Sequence, residues 1–466
     1  MYLITFLRKA NEKEYIIKTI FIIGICANLL GISYYKYQGF FLENISTIFD
    51  LNLEIPKLVL PLAISFFTFQ QIAYLVDVYK GRISGNHSFW KYCLFVTFFP
   101  QLIAGPIVRY QALMPQFSFQ ENLRLNSESL ALGISIFSVG LFKKFLADAI
   151  AIHCDPVFMA AYNGEVLSFF EAWYGALAYT MQLYFDFSGY SDMAIGIGNM
   201  FGIRLPLNFF SPYKAASIID FWRRWHMTLS KFLRDYLYIP LGGNRKGEFR
   251  RYMNILITML LGGLWHGAGW TFVLWGGLHG LYLLINHCWQ YLLVKLELTQ
   301  LSNQIWMRLM GRIITFIAVV FAWVIFRSEN LEVAVQMLNS MTRVSDISVW
   351  HLLNDTLQRA ELNDSFQLGN YWQFLSPNAL IRISGFNLLV MLLTIVWFFP
   401  NTQQLFDEYT PTVQTYDVQL EAEFENSPKY LQWKPRFTWL YIIIIMNLVS
   451  FSALASIPSE FLYFQF

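Results

Sequence analysis

Charged residues are scarce in this chain. Asp, Glu, Lys and Arg make up only 14% of its 466 residues, whereas soluble domains contain roughly 25%. Hydrophobic residues account for 56% of the chain and aromatic residues for 18%. This composition indicates an integral membrane protein rather than a large soluble core. The formal net charge of +2 also argues against a nucleic-acid partner, which would require a strongly basic surface.

Cysteine is rare, and the motifs of several enzyme classes are missing. The four cysteines lie far apart and form no CxxC pair: Cys26, Cys93, Cys154 and Cys288. They therefore predict neither a disulfide framework nor a zinc site. The sequence has no HExxH motif, no GxSxG elbow and no convincing GxGxxG loop. A zinc site built from His226, His266 and His279 is conceivable, but their spacing is not diagnostic, and we expect no metal.

Long apolar runs dominate the sequence. A helix needs about 20 largely apolar residues to span a bilayer. The candidate spans are 16–35, 58–78, 89–107, 129–150, 168–187, 253–265, 270–293, 309–326, 380–399 and 436–456. The run 253–265 is too short to cross alone, and together with 270–293 it predicts a broken or re-entrant element. The polar stretches 328–379 and 401–435 are expected to connect spans outside the membrane.

One histidine lies inside the least charged part of the chain. The string GGLWHGAGW (262–270) places His266 among glycines, with apolar sequence on both sides. An ionisable side chain at membrane depth is costly and is usually functional. The glycines would let backbone or substrate approach the imidazole. The alternative is a polar residue that only joins two helices.

A second histidine follows in a basic, aromatic segment. In helical register over IIDFWRRWHMTLSKFLRDYLY (218–238), His226 falls on the apolar face and Arg223 and Arg234 on the other. The pattern predicts an amphipathic helix at a membrane surface, or alternatively a loop helix with solvated charges. The nearby lysines and arginines place the segment in the cytoplasm. Such a surface could attract an anionic cofactor or lipid headgroups.

The two histidines come from elements that could meet at one membrane-embedded site. Imidazole titrates near neutrality and can remove a proton from a hydroxyl group. Asp186 and Ser188 are predicted to end a span; Asp186 either orients a histidine or caps a helix that restarts after a break. His279 is expected to pack beside the site rather than to act as the base.

At these residues the sequence resembles the membrane-bound O-acyltransferase (MBOAT) superfamily. Within it, the resemblance is closest to the bacterial branch that contains the alginate O-acetyltransferase membrane subunit and peptidoglycan O-acetyltransferase A. The matching strings are LPLAISFFTFQQIAYLVDVYKG (60–81), FFPQLIAGPIVRY (98–110), YFDFSGYSDMAIGIGNMFGIRLPLNFFSPY (184–213), DFWRRWHMTLSKFLRDYLYIPLGGNRKG (220–247) and GGLWHGAGWTFVLWGGLHG (262–280). The resemblance covers about residues 30–330 in detail.

The resemblance implies a fold and an activity. The fold is an all-α ring of about 9–11 tilted transmembrane and re-entrant helices around a central tunnel, here one polytopic domain over 1–466. Its catalytic core would span about 58–330, with C-terminal spans and an aromatic tail over 380–466. The activity is acetyl transfer from a cytoplasmic thioester, acetyl-CoA, toward an extracytoplasmic polysaccharide such as peptidoglycan or alginate. The expected location is the bacterial cytoplasmic (inner) membrane.

The resemblance also implies roles for individual residues. It assigns His266 as the catalytic histidine and His226 as a second essential residue. Further residues are expected beside the histidines or against substrate: Asp186, Ser188, Trp222, Arg223, Arg224, Trp265 and His279. Tyr463, in the terminal FLYFQF, could carry the acetyl group to a secreted SGNH-type partner, or could be an aromatic interface anchor.

Other readings of the same residues stay open. Within enzymes, the alternative is D-alanyl or other acyl transfer to teichoic acid. From other classes, the alternatives are a transporter of acyl donors or glycans and an inert scaffold for the secreted partner. A transporter would move the donor without transferring its acyl group, whereas an enzyme would form a covalent product.

Overall fold

The chain is mostly helical, as predicted. The computed structural model describes residues 14–56, 58–83, 88–102, 105–124, 126–343, 385–413 and 428–454. The helices are α1 (Glu14–Ile32), α2 (Gln38–Phe49), α3 (Ile64–Tyr79), α4 (Phe89–Thr97), α5 (Tyr110–Leu113), α6 (Ser127–Tyr162), α7 (Phe169–Met200), α8 (Ile218–Arg224), α9 (Met227–Leu233), α10 (Glu248–His266), α11 (Trp270–Lys295), α12 (Ile305–Arg327), α13 (Leu331–Thr342), α14 (Gly385–Phe398), α15 (Thr402–Leu405) and α16 (Phe437–Leu454). Two short strands, β1 (Leu205–Pro206) and β2 (Thr412–Val413), pair in parallel.

Several helices are long and apolar enough for a bilayer. Among the described residues, three stretches meet this requirement by length and composition: Glu14–Phe49, Ser127–Tyr162 and Ile305–Arg327. The first of these consists of α1 and α2, joined by the π-helical turn Ser33–Tyr37. The predicted span 89–107 is wrong as one helix, because α4 ends at Thr97 and a 3-10 turn containing Pro100 follows.

The centre of the fold is the antiparallel pair α6 and α7. Glycines bring the two backbones into contact: a Cβ added at Gly140 would lie 2.6 Å from the carbonyl oxygen of Gly189. The main buried cluster of apolar side chains surrounds α7 and includes residues of α12, α13 and α14. Helix α7 also runs through Asp186 and Ser188 without a break. The predicted end of a span at these residues is therefore wrong, and Asp186 is not a helix cap.

Helices α10 and α11 form a tight hairpin around the Gly-rich string. The predicted break is confirmed at residues 267–269, where the backbone of Gly267 is extended. A Cβ added at Gly263 would lie 2.2 Å from the carbonyl oxygen of Phe272, and one at Gly276 would lie 2.3 Å from that of Met259. The glycines thus allow the two helix backbones to touch, and the break places His266 at the bend.

The predicted continuous amphipathic helix over 218–238 is interrupted. Helix α8 ends at Arg224, and His226 adopts a left-handed backbone conformation with φ of 42°. Helix α9 then begins and passes into a π-helical turn, Arg234–Tyr238. Arg223 and Arg234 are exposed as expected, but Arg224 and Met227 are buried. The segment turns inward at His226 because hydrogen bonds to its side chain and flanking backbone replace the helical ones.

Candidate active site

His226 lies fully buried at the bend between α8 and α9. Its Nδ1 atom is 3.1 Å from Oδ1 of Asn208. That same oxygen accepts hydrogen bonds from the backbone N–H and the hydroxyl group of Thr228, at 3.3 and 2.8 Å. The backbone carbonyl of Asn208 accepts from the N–H of Met227 at 2.9 Å. Asn208 therefore holds the bend and the imidazole together.

The contacts of Asn208 determine the tautomer of His226. A backbone N–H only donates, so the atom that faces Thr228 must be the amide oxygen. The amide nitrogen of Asn208 donates to Oγ of Ser191 at 3.2 Å, which is consistent with this orientation. Nδ1 of His226 is then the donor, and the neutral ring keeps its lone pair on Nε2. Among the described residues, this buried Nε2 has no hydrogen-bond partner.

His266 is the last residue of α10 and is 6% exposed. Aromatic rings surround its imidazole: the ring centroids of Trp265, Trp275 and Phe326 lie at 4.9, 5.1 and 5.4 Å. The rings come from α10, α11 and α12, so three helices define the surroundings of this side chain. Such an environment is apolar and excludes bulk water.

The structure brings the two histidines together. Both imidazoles pack against the ring of Trp265, with centroid distances of 6.3 Å for His226 and 4.9 Å for His266. His226, Lys36 and His279 are all close enough to His266 for Coulombic interaction. Two imidazoles separated by 40 residues in sequence therefore share one buried site.

His279 packs against the ring of Trp275, which His266 also contacts. Its ring is 4.8 Å from Trp275 and 5.1 Å from Trp222, and it stacks on Phe221 at 6.1 Å. The side chain is fully buried, and neither ring nitrogen has a hydrogen-bond partner in the described part of the chain. The contacts of His279 are thus with aromatic rings, and its expected role as a packing residue rather than the base stays a prediction.

The remaining predicted residues divide into three groups. Trp222 and Trp265 belong to the aromatic surroundings of the histidines. Arg223 is exposed, whereas Arg224 is buried and pairs with Asp220 at 2.7 Å. Tyr463 lies outside the described residues.

Asp186 and Ser188 contribute to the interface between α6 and α7. An Oδ atom of Asp186 lies 2.9 Å from Nζ of Lys144. Both residues are buried within α7. For His226, the orienting group is the amide of Asn208 rather than a carboxylate.

Sequence reasoning missed three residues that shape the site. Asn208 orients His226, while Lys36 and Tyr37 bind the end of α10. Lys36 is the one of these that carried a signal, because it is a lone basic residue inside a long apolar run. The role of Asn208 required knowledge of the bend at His226.

A basic surface follows α9 along the chain. Arg245, Lys246 and Arg250 are exposed between α9 and the start of α10. Close by, Asp235 pairs with Arg109 at 2.5 Å and with Arg234 at 2.7 Å. Burial raises the pKa of the Asp235 carboxyl, but hydrogen bonds and charges from Arg234 and Arg109 outweigh it and hold the pKa below its usual range. This carboxylate therefore offsets the charge of Arg109 and Arg234, while Arg245, Lys246 and Arg250 expose positive charge that attracts anions.

Metal ligation is not prominent in this arrangement. Within the described ranges, no group of three or more His, Cys, Asp or Glu side chains could hold a metal ion.

Comparison with known proteins identifies the family. A sequence model described as MBOAT, membrane-bound O-acyltransferase family, matches residues 82–335. This range includes both central histidines, Asn208 and the α10–α11 hairpin. It does not include α1, the π-helical turn or α2.

Named relatives cover most of the chain. A peptidoglycan O-acetyltransferase of Helicobacter pylori is 43% identical over 410 residues, which cover 83% of this chain and 75% of the relative. A protein of Pseudomonas putida named probable alginate O-acetylase AlgI is 38% identical over 450 residues, covering 96% and 84%. A teichoic acid D-alanyltransferase of Streptococcus thermophilus is 28% identical over 281 residues, covering 57% and 68%. The chain belongs to the MBOAT family and is a membrane-bound O-acyltransferase.

Proposed function

We propose that this enzyme transfers acetyl groups from a cytoplasmic thioester, acetyl-CoA, toward an extracytoplasmic polysaccharide. The single observation that carries the proposal is the contact of both His226 and His266 with the ring of Trp265 in one buried site. The relatives with the higher identities are named as acetylating enzymes of peptidoglycan and alginate, whereas the D-alanyltransferase is more distant. Acetyl transfer is therefore favoured over D-alanyl transfer.

In the proposed reaction, His266 acts as the general base. Its imidazole takes the proton from an acceptor hydroxyl, and the hydroxyl oxygen attacks the thioester carbonyl carbon. The tetrahedral intermediate then collapses, the C–S bond breaks and the thiolate leaves. The imidazolium returns its proton to the thiolate, so the site is restored. The apolar surroundings of His266 suppress hydrolysis of the thioester by water.

The tautomer of His226 limits its role in this reaction. With Nδ1–H directed at Asn208, the neutral ring offers only the lone pair of Nε2 to a ligand. It therefore accepts a hydrogen bond from the acceptor hydroxyl or from the leaving thiol. Oxyanion stabilisation is assigned to backbone N–H groups of the break at 267–269, next to His266, because N–H donors are what a developing oxyanion requires.

The basic surface near α9 provides a place for the donor to dock. The exposed Arg245, Lys246 and Arg250 carry charge that is complementary to the phosphates of acetyl-CoA. In this proposal the thioester enters from the cytoplasmic side, the acceptor arrives from the opposite side, and the helices form a ring around the connecting tunnel. The membrane is the cytoplasmic membrane of a bacterium.

The acceptor side of the proposal includes a partner. The acetyl group passes to a secreted SGNH-type protein, directly or through the hydroxyl group of Tyr463 near the C-terminus. The alternative for Tyr463 is an aromatic anchor at the membrane interface. The polysaccharide is then acetylated outside the cell.

Proteoliposomes with acetyl-CoA labelled in the acetyl group test the proposed function. An enzyme releases free CoA and leaves label covalently attached to an acceptor, to the protein or to water. A transporter instead moves intact labelled donor across the bilayer. Movement of intact acetyl-CoA without CoA release would contradict the proposal, and labelled D-alanine in place of acetate as the transferred group would identify the alternative enzyme.

A further inference from the structure

The end of α10 needs hydrogen-bond donors that α10 itself does not supply. The last four carbonyl groups of any α-helix have no partner within the helix. In α10 these belong to residues 263–266, and the chain leaves the helix in an extended conformation at Gly267. Gly267 therefore does not form the left-handed glycine cap that would satisfy these carbonyls locally at the end of α10. His266 is the terminal residue, so loose packing here would act directly on its ring.

Two side chains from the first long helix bind these carbonyls. Nζ of Lys36 donates to the carbonyl oxygens of Trp265 and His266, at 2.8 and 2.9 Å. The hydroxyl group of Tyr37 donates to the carbonyl oxygen of Leu264 at 3.0 Å. Three consecutive carbonyls at the end of α10 are thus satisfied by two adjacent residues, more than 220 positions away in sequence.

The backbone of the first helix is adapted to these contacts. Lys36 and Tyr37 lie in the π-helical turn between α1 and α2. A π-turn widens the helix locally, and such turns are frequent at functional sites. The Lys36 ammonium also donates to Oγ of Ser65 at 3.3 Å, at the start of α3. An ammonium group has three N–H donors, and these three acceptors match them.

The charge of Lys36 suits this position. A helix C-terminus carries a partial negative charge, and a cation there is stabilising. Lys36 also lies in the apolar stretch Glu14–Phe49, where a charged side chain without a polar partner would be costly. Its ammonium lies within Coulombic reach of the His266 imidazole. The hydrogen bonds of Lys36 and its charge therefore both act on His266.

We propose that Lys36 and Tyr37 are positioning residues for His266, which fix the end of α10 so that the imidazole stays at the reacting geometry. This inference rests on the proposed function, because it assigns His266 the role of base. It extends the active site to a helix that precedes the family match at residues 82–335. Neither residue needs to touch the acetyl donor.

Kinetics of variants test the inference. Lys36→Met is expected to lower kcat for acetyl transfer about 10- to 100-fold, because an error of about 1 Å in the position of a catalytic group has effects of this size. KM for acetyl-CoA should change by less than about twofold, because the variant removes no contact with the bound donor. Lys36→Arg keeps donors and charge, and should recover most of the lost kcat. A purely structural role would instead lower the thermal stability and leave kcat of the folded fraction unchanged.

Tyr37→Phe provides the second test, because it removes one oxygen atom and keeps the ring. We expect a loss in kcat of about 3- to 10-fold, the effect of one lost hydrogen bond. The matched control is Tyr35→Phe: Tyr35 lies in the same π-turn, is 43% exposed and should give wild-type kcat. If Lys36→Met does not fold, kcat of Tyr37→Phe alone tests the positioning role.

The outcomes separate this inference from the proposed function. Wild-type kcat in Tyr37→Phe and in folded Lys36→Met would overturn the positioning role. If His266→Ala is inactive in the same assay, the proposed function then still stands. Acetyl transfer that survives in His266→Ala would overturn the role of His266 as base and with it the positioning role, while acetyl transfer itself would still stand. The proposed function fails only if the wild-type protein moves intact acetyl-CoA without releasing CoA.

Discussion

Nδ1 of His226 lies 3.1 Å from Oδ1 of Asn208, and this contact makes Nδ1 the ring nitrogen that carries the proton in the neutral imidazole. The oxygen of Asn208 also accepts from the N–H and the hydroxyl of Thr228, which removes the ambiguity of the amide orientation. The same contacts hold the left-handed backbone at His226. Asn208 therefore both orients the imidazole and supports the strained backbone of His226. This agrees with the tendency of strained residues to cluster at active sites.

Asn208→Ala should impair catalysis more than folding. The substitution leaves Nδ1–H of His226 and the Thr228 hydroxyl without their acceptor, at a cost in stability of about 1–3 kcal/mol. Because the imidazole is then free to change tautomer and position, we expect kcat to fall about 10- to 100-fold. Asn208→Asp keeps an acceptor oxygen and should retain more activity. Unchanged kcat in Asn208→Ala, measured on folded protein, would contradict the orienting role.

Gly263→Ala should open the α10–α11 hairpin. The added methyl group would lie 2.2 Å from the carbonyl oxygen of Phe272, so the helices must separate. Overpacking of this kind costs about 1–3 kcal/mol in the free energy of unfolding. The matched control is Gly31→Ala in α1, where nothing lies within 4 Å of the new Cβ. A thermal unfolding scan in detergent should show a lower Tm for the first variant only; equal Tm values would refute the close contact.

Asp192→Leu should destabilise the protein strongly. The carboxylate is buried between α6 and α7, where it pairs with Lys143 at 2.6 Å and accepts from Thr402 at 2.6 Å. Removing one member of a buried ion pair costs about 3–5 kcal/mol, because the other charge stays in an apolar environment.

Exposed pairs supply the control for this prediction. Glu408 and Lys434 are 3.5 Å apart and largely exposed, so Glu408→Gln should change stability by less than about 1 kcal/mol. Both variants can be compared by thermal unfolding in the same detergent. Similar losses in the two variants would show that burial does not set the strength of the Asp192 contacts.

Tyr463→Phe separates the two roles considered for the terminal tyrosine. If the hydroxyl group carries the acetyl, the variant cannot form the ester, and transfer to the secreted partner should be lost. Binding to the membrane should persist because the ring remains. Tyr441→Phe, an exposed residue in α16, is the matched control and should be active. Full transfer by Tyr463→Phe would leave only the anchor role.

The sequence predicted the break beside His266 correctly, but it did not predict the residues that hold the two histidines in place. The glycines around His266 indicated a break, and the structure has it at residues 267–269. The left-handed turn at His226 could not be foreseen, because periodicity over 218–238 continues across it and the turn depends on Asn208, 18 positions away. Likewise, Asp186 and Ser188 were predicted to end a span, whereas the lysines of α6 allow the helix to continue by pairing with the carboxylates of Asp186 and Asp192.

The contact of Lys36 with α10 shows a second limit of sequence reasoning. A basic residue in an apolar run signals a partner, but nothing in the sequence says which of the distant elements provides it. Here the partners are backbone carbonyls, which every residue possesses and which therefore leave no pattern. Such contacts are visible only when the helix end and the π-turn are seen together.

The activity of His266→Ala, measured with labelled acetyl-CoA in proteoliposomes, tests the central claim most directly. His153→Gln is the control, because His153 is a half-buried histidine on α6 that packs against Tyr174. The account predicts that His266→Ala folds with a near-normal Tm and transfers no acetyl group, while His153→Gln stays active. Acetyl transfer at the wild-type rate by His266→Ala would contradict the assignment of this imidazole as the base.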